Sequence, residues 1–282
     1  MDIRQITIIG TGLIGGSFGL AVRARGFRGR IVGCDRDEVL AEAQAMDAID
    51  AGCSDPIHAA RGSDVVLLAT PVGGIIELLE MGQVFPEHAL ITDVGSTKQE
   101  IIARARSVFA EQTAARFLPG HPMAGKEHGG IQYASADLFE GAVWLVTPLP
   151  QQDIWTGRSG AFLQLVQTIG ARVVSMDPER HDRLCAWVSH LPQMISTALA
   201  ASLEDEFGND PELQAIGGRA LREMTRIASS PYSMWGDIAK TNTANIQEAI
   251  LRLEQRLAHL RENLRTPELQ VEFQRAHQFK NK

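Results

Sequence analysis

The run Ile6-Thr7-Ile8-Ile9 leads without a break into Gly10-Thr11-Gly12-Leu13-Ile14-Gly15-Gly16-Ser17, and a helical pattern follows over Phe18 to Arg25. A strand, a G-x-G-x-x-G turn and a helix in that order describe the opening of a dinucleotide-binding fold. Gly10 allows the tight turn, Gly12 lets the backbone approach a pyrophosphate, and Gly15 lets the helix pack on the strand. With Leu13 and Ile14 they form the candidate cofactor-binding stretch. The phosphates would sit at the helix N-terminus, where unpaired N–H groups and the macrodipole favour negative charge. A second apolar run over 30–35 ends in Asp35, an acid at the spacing that ribose recognition requires. Its carboxylate can accept both ribose hydroxyls of NAD and would repel the extra phosphate of NADP. Arg36 beside it leaves room for NADP. A glycine turn next to an ordinary surface aspartate is the bland alternative.

The 282 residues suffice for two ordinary domains, and 44% hydrophobic with 22% charged residues is the balance of a globular enzyme. No apolar run is long enough to span a bilayer, and the first residues lack a basic-then-apolar leader, so a cytoplasmic chain without membrane partners is expected. Cys34, Cys53 and Cys185 form no C-x-x-C pattern, and neither a disulfide framework nor a metal site is expected. A net charge of −7 argues against nucleic acid as a partner. Residues 240–282 carry eight Lys/Arg against five Asp/Glu, but the charges interleave along a helical pattern and read as a solvated face.

Short apolar runs alternate with amphipathic stretches through the first half, the signature of a parallel sheet with crossover helices. Strands are expected near 4–9, 30–35, 64–69, 89–94, 116–119, 142–146 and 171–176. The segment 147–150 (Thr-Pro-Leu-Pro) reads as a boundary, with a helix near 157–169 and the last strand able to pack on the first domain's edge. The fold expectation is therefore an α/β Rossmann-like dinucleotide-binding domain over 1–150, with edge elements to 176, followed by an all-α domain over 177–282. Asp177-Pro178 looks like a helix cap with proline in the first turn. The segment 184–203 is apolar and small almost all round, as a helix buried on most sides would be, and Pro192 should kink it. Ile246, Ile250, Leu253, Leu257, Leu260 and Leu264 repeat at steps of four and three, a seam for packing within the domain or across a dimer.

Candidate chemistry lies where such sheets place it, in loops after parallel strands. Thr70 and Pro71 follow the strand at 64–69 and can pack on a cofactor, or form a plain strand-to-helix turn. Ser96 follows the next strand and can hold a hydroxyl that is being oxidised, or serve as a helix N-cap. The segment from Gly120 to Gly130 places His121 between glycine and proline on a turn-like backbone. Histidine titrates near ~6.5 and suits a base that takes a proton from an alcohol. In the helical half, Ser189, His190 and Gln193 are polar groups beside the expected kink. Burying them without partners would be costly. Arg226 lies among apolar neighbours and can clamp a carboxylate, or snorkel from a helix surface.

These residues resemble the prephenate/arogenate dehydrogenase family, across nearly the whole chain and in the family's order. The matching elements are G-x-G-L-I-G-G-S (10–17), A-T-P-V (69–72), D-V-G-S-T-K (93–98), G-H-P-M-A-G-K-E (120–127), S-H-L-P (189–192) and T-R-I-A (225–228). The pairing of G-H-P-M-A-G with S-H-L-P is the specific part. The resemblance implies a Rossmann-like domain and a helical domain that dimerises. It also implies oxidative decarboxylation of prephenate or arogenate, with hydride passing to NAD, in tyrosine biosynthesis. His121 matches the catalytic base and Ser96 the serine that bonds the same hydroxyl. Arg226 matches the arginine for a substrate carboxylate, while His190, with Ser189, belongs to the substrate-side helix. Many prephenate-using members carry a second histidine where this chain has Gln193. That neutral amide should discriminate weakly between the keto acid and the amino acid, and Glu127 would favour arogenate if it reached the pocket. Neither a preceding mutase domain nor a following regulatory domain is expected.

Two other readings compete. Two-domain 3-hydroxyacid dehydrogenases share the fold plan but use a lysine on the helical side, where this chain offers Lys240 among uninformative neighbours. A non-catalytic NAD-binding sensor would need no base, serine or clamp.

Overall fold

The computed structural model describes residues 3–126 and 128–281. β1 (Gln5–Ile9), β2 (Arg30–Cys34), β3 (Ala51–Gly52), β4 (Val65–Leu68), β5 (Leu90–Asp93) and β6 (Phe117–Leu118) form one sheet in the order β3-β2-β1-β4-β5-β6. Every pairing in it is parallel. Its apolar runs are continuous because both faces are covered: Val65 and Leu67 enter one core cluster, Val66 and Leu68 the other. The order reverses between β1 and β4, and the crevice at such a reversal is where doubly wound sheets bind ligands.

A second sheet, which the sequence pattern did not separate from the first, is built from β7 (Gly120–Pro122), β8 (Val143–Val146) and β9 (Arg172–Ser175). β7 runs antiparallel to β8, and β8 parallel to β9. The expected turn-like loop around His121 is corrected here. His121 pairs with Leu145 in a strand, and Met123 N–H extends the ladder to the Val143 carbonyl at 2.7 Å. Three residues, Gly-His-Pro, are too few to show a period of two, so the strand left no pattern to read. Helix Gly157–Thr168 places Phe162, Leu163 and Val166 in the cluster that also holds Ile6, Ile8 and Phe18.

From Asp177 onward the described chain is helical. The Asp177 carboxylate accepts the N–H groups of Glu179 and Arg180 at 2.9 and 3.1 Å and starts helix Pro178–Cys185. A π-helical turn, Ala186–His190, joins it to helix Leu191–Phe207. The disturbance expected at Pro192 thus takes the form of that turn, with Pro192 directly behind it in the continuing helix. The expected burial of 184–203 on most sides is corrected: Val188 is 64% exposed and Trp187 44%. Neighbours from 219–229 and from Thr243–Glu262 pack against this rod and leave these residues open. The seam in helix Thr243–Glu262 behaves alike, with Ile246 buried but Leu257 exposed. Among the described residues no helix is long and apolar enough to cross a membrane.

The glycine turn shows why its residues are what they are. Gly10 has φ +96°, and a Cβ there would meet the Ala69 carbonyl carbon at 2.6 Å. A Cβ on Gly15 would lie 2.0 Å from the Gly10 carbonyl oxygen, whereas one on Gly12 would meet nothing within 4 Å. Gly15→Ala should therefore lower stability by about 1–3 kcal/mol through overpacking. Gly12→Ala should leave the unfolding free energy from urea titration within about 0.5 kcal/mol of wild type. Equal midpoints for the two variants would refute this packing account.

Candidate active site

The cleft at the strand-order reversal has a volume of about 370 Å³. Leu13 and Ile14 line it after β1, Thr70 and Pro71 after β4, Ser96 after β5, and His121 from β7. The helical half closes it with Pro231, Ser233, Met234 and Ile238. Ser96 is not a helix cap: the following helix, Gln99–Phe109, begins behind Lys98. Asp35 lies beyond this cleft at the end of β2. Its carboxylate accepts Thr11 N–H at 2.8 Å and Arg36 N–H at 2.9 Å.

The backbone of His121 is fixed by a buried ion pair. Asp93, at the end of β5, accepts the Lys98 ammonium, and both side chains are at most 1% exposed. Gly120 N–H donates to Asp93 Oδ1 at 3.1 Å, and Lys98 Nζ donates to the Gly120 carbonyl at 2.6 Å. Both polar groups of the residue before His121 are thereby held. Gly120 is required by the close approach, since a Cβ there would lie 2.7 Å from the Asp93 carbonyl oxygen.

The side chain of His121 is held from the helical half. Its Nδ1 lies 2.9 Å from Nε2 of His181, and His181 Nδ1 lies 2.8 Å from Asp182 Oδ1. Asp182 also accepts Lys98 N–H at 2.7 Å and Gln99 N–H at 2.9 Å. Although burial opposes it, these hydrogen bonds keep the Asp182 carboxyl below its usual range, so it is ionised. Burial, reinforced by His181, Lys98 and His190, holds His121 well below the ordinary histidine value. Burial also lowers His181, against the opposing hydrogen bond to Asp182. The Cys185 thiol sits 3.6 Å from His181 Nε2 and is pushed up to about 12 by burial. His121, His181 and Cys185 place their ligating atoms within 4.8 Å of one another. The 2.9 Å nitrogen–nitrogen separation is nonetheless that of a hydrogen bond, and the thiol stays protonated.

The other described candidates on the substrate side are not among the residues that line the cleft. His190 is buried, accepts Asn242 Nδ2 at 3.2 Å on Nδ1, and is lowered to about 4 by burial. Its Nε2 has no hydrogen-bond partner among the described residues, and its ring meets Trp235 edge-on. Gln193 is buried and donates to the Ile227 carbonyl at 2.9 Å, which ties its helix to the turn Arg226–Ser229. Arg226 begins that turn on an exposed face, and Ser189 is half-buried in the π-helical turn. Glu127 lies outside the described residues. Lys240, the lysine of the competing reading, is exposed and does not line the cleft.

Sequence reasoning missed Lys98, His181, Asp182 and Asn242. A signal existed for two of them: His181 and Asp182 share the buried side of helix Pro178–Cys185 with Cys185, a histidine–aspartate pair where apolar residues would be expected.

Comparison with known proteins agrees with this architecture. Residues 18–175 match the prephenate dehydrogenase nucleotide-binding domain, and residues 177–278 the prephenate dehydrogenase dimerization domain. A prephenate dehydrogenase of Lactococcus lactis subsp. cremoris is 32% identical over 257 residues, which span 90% of this chain and 70% of that protein. The crystal structure of prephenate dehydrogenase from Aquifex aeolicus in complex with hydroxyphenyl propionate and NAD+ matches at a TM-score of 0.88. The two are 30% identical over 100% of this chain and 98% of that one. An arogenate dehydrogenase of Synechocystis matches at a TM-score of 0.78 and 25% identity, over 98% of this chain and 99% of that one. On the family models and these relatives, the chain belongs to the prephenate dehydrogenase family.

Proposed function

We propose that this protein is a cytoplasmic NAD-dependent dehydrogenase that oxidatively decarboxylates prephenate to 4-hydroxyphenylpyruvate, with arogenate as a poorer substrate. The observation that carries the reading is His121, lining the cleft at the strand-order reversal with one ring nitrogen already engaged. The residues fit the cofactor. Helix Leu13–Ala24 starts without a side-chain cap, so its first N–H groups can meet a pyrophosphate, and Gly12 faces open space. Gly10 and Gly15 shape that turn, Thr70 and Pro71 flank it, and Asp35 would hold the ribose. When bound, NAD supplies a two-electron acceptor for the ring carbon that bears the hydroxyl.

The chain's own groups then have separate tasks. His121 takes the proton of the substrate hydroxyl, and Ser96 orients that hydroxyl from the opposite loop. Arg226 binds a carboxylate of the substrate from the helical half, with His190, Gln193 and Ser189 shaping that side. Loss of carbon dioxide needs no acid, because the ring becomes aromatic. We assign 1–176 to the dinucleotide half and 177–282 to the helical half. A homodimer would cover Trp187, Val188, Leu257 and Leu264, which one chain leaves exposed. The net charge of −7 disfavours nucleic acid as a partner.

Purified protein mixed with NAD and prephenate should produce reduced cofactor, followed by absorbance, and 4-hydroxyphenylpyruvate. Absence of turnover with both prephenate and arogenate would overturn the reading.

His121→Asn should lower kcat by about 10²–10⁴-fold with little change in NAD affinity. Because the base acts unprotonated and its environment lowers its affinity for protons, wild-type kcat/KM should stay level down to pH 6.5 and fall below it. A limb centred above pH 6.5 would remove His121 from this role.

Asp35 should make kcat/KM higher with NAD than with NADP, and Asp35→Asn should narrow the ratio by about tenfold, the worth of ~1.4 kcal/mol. A wild-type preference for NADP would refute the assignment, with Arg36 the residue to examine next.

A further inference from the structure

We propose that His121, His181 and Asp182 form a proton relay in which His181, not His121, carries the positive charge once the substrate hydroxyl has lost its proton. The inference rests on the reading of the cleft given above and adds a second proton carrier to it.

The hydrogen-bond pattern leaves one assignment of the ring protons. Asp182 accepts the backbone N–H groups of Lys98 and Gln99 as an ionised, acceptor-only group, so His181 Nδ1 must donate to it. Neutral His181 then has its lone pair on Nε2, 2.9 Å from His121 Nδ1. His121 Nδ1 must donate across that contact, which leaves the lone pair of His121 on Nε2 as the base for the cleft. Asp182 and His181 thus select the tautomer that catalysis needs, as a carboxylate does for a histidine in hydrolytic triads.

The same contact gives the incoming proton somewhere to go. As the hydroxyl O–H bond breaks, its electron pair stays on oxygen and the proton bonds to His121 Nε2. The proton on His121 Nδ1 moves to His181 Nε2, and His121 returns to neutral with its proton on the other nitrogen. The charge now lies on His181, 2.8 Å from the Asp182 carboxylate. On His121 it would face the Lys98 ammonium from the β5 loop and two further histidines, His181 and His190, from the helical half. Around His181 the groups are Asp182 and Cys185 on its own helix, with Lys98 and Asp93 from the β5 loop. Burial and the Lys98 cation oppose charge on both rings, but the hydrogen bond to Asp182 and the carboxylates of Asp182 and Asp93 offset them at His181, whereas at His121 every neighbouring charge opposes it.

Three measurements test the relay. The first needs neither cofactor nor substrate: a pH titration of ¹⁵N-histidine-labelled protein by NMR. At neutral pH His121 and His181 should both be protonated at Nδ1, and on acidification His181 should take up a proton before His121. A His121 bearing its proton on Nε2, or protonating first, overturns the proposal. The second is His181→Gln, whose side-chain oxygen can accept the His121 Nδ1 proton's hydrogen bond but cannot be protonated at this pH. It should lower kcat about 10²-fold and move the acid limb of the kcat profile to lower pH, with KM and NAD affinity within about threefold of wild type. Wild-type kcat and an unmoved limb in His181→Gln would reduce His181 to a positioning residue and refute the relay. Asp182→Asn should also move the limb to lower pH, because the charge on His181 loses its counter-ion. Wild-type protein that turns over neither prephenate nor arogenate would sink the functional reading, and the titration would still decide the relay.

Discussion

The carboxylate of Asp182 is where the two halves of this protein become one site. It belongs to the first helix of the helical half, yet two of its partners are backbone N–H groups at the start of the helix that follows β5. Its own backbone carbonyl accepts Asn242 Nδ2 at 2.8 Å, bringing in the helical half's later segment. Thr97 with Thr241, and Gly73 N–H with Asp237, add links between the same two regions. Such contacts are short-range and directional, so they specify a docking geometry more than they add stability. An isolated buried carboxylate would be expensive. Distributed over backbone donors and a histidine it becomes an orienting device.

Around that point the interior is unusually polar. Lys98 and Asp93 form a buried pair whose removal on one side would leave an uncompensated charge, at a cost of about 3–5 kcal/mol. The pair holds the backbone of Gly120 by both its donor and its acceptor, and Gly120 precedes His121. His121 is therefore fixed twice: its main chain from the sheet side by an ion pair, its ring from the helical side by another histidine. A group positioned by two independent structures has little freedom to relax into unreactive orientations, which is the requirement of an organised reaction centre.

The parts of this design that are local in sequence were readable there. The glycine turn, Asp35 at the end of the second strand, and the capping aspartate with its proline each announce themselves within a few residues, because turn and cap chemistry is local. His121 stood out because glycine and proline flank it, although the same three residues concealed that it lies in a strand. Polar partnerships across the fold left no such trace. Nothing within helix Pro178–Cys185 shows that Asp182 meets the amides of Lys98 and Gln99, since that contact exists only after both halves have folded and docked. Surface apolarity misled in the opposite direction: segment 184–203 reads as buried, and in a single chain its outer side is open.

The π-helical turn at Ala186–His190 has a consequence of a different kind. It adds a residue to one turn of an otherwise continuous rod, with His181, Asp182 and Cys185 before it, His190 as its last residue and Gln193 after it, all buried. An α-helix advances about 100° per residue. Removing one residue from the turn would swing everything downstream by roughly that angle and carry Gln193 away from the turn that begins at Arg226. A deletion of one residue here would therefore break the alignment of the two buried groups in a single step. The register between the buried residues on either side is thus set by the number of residues in the turn.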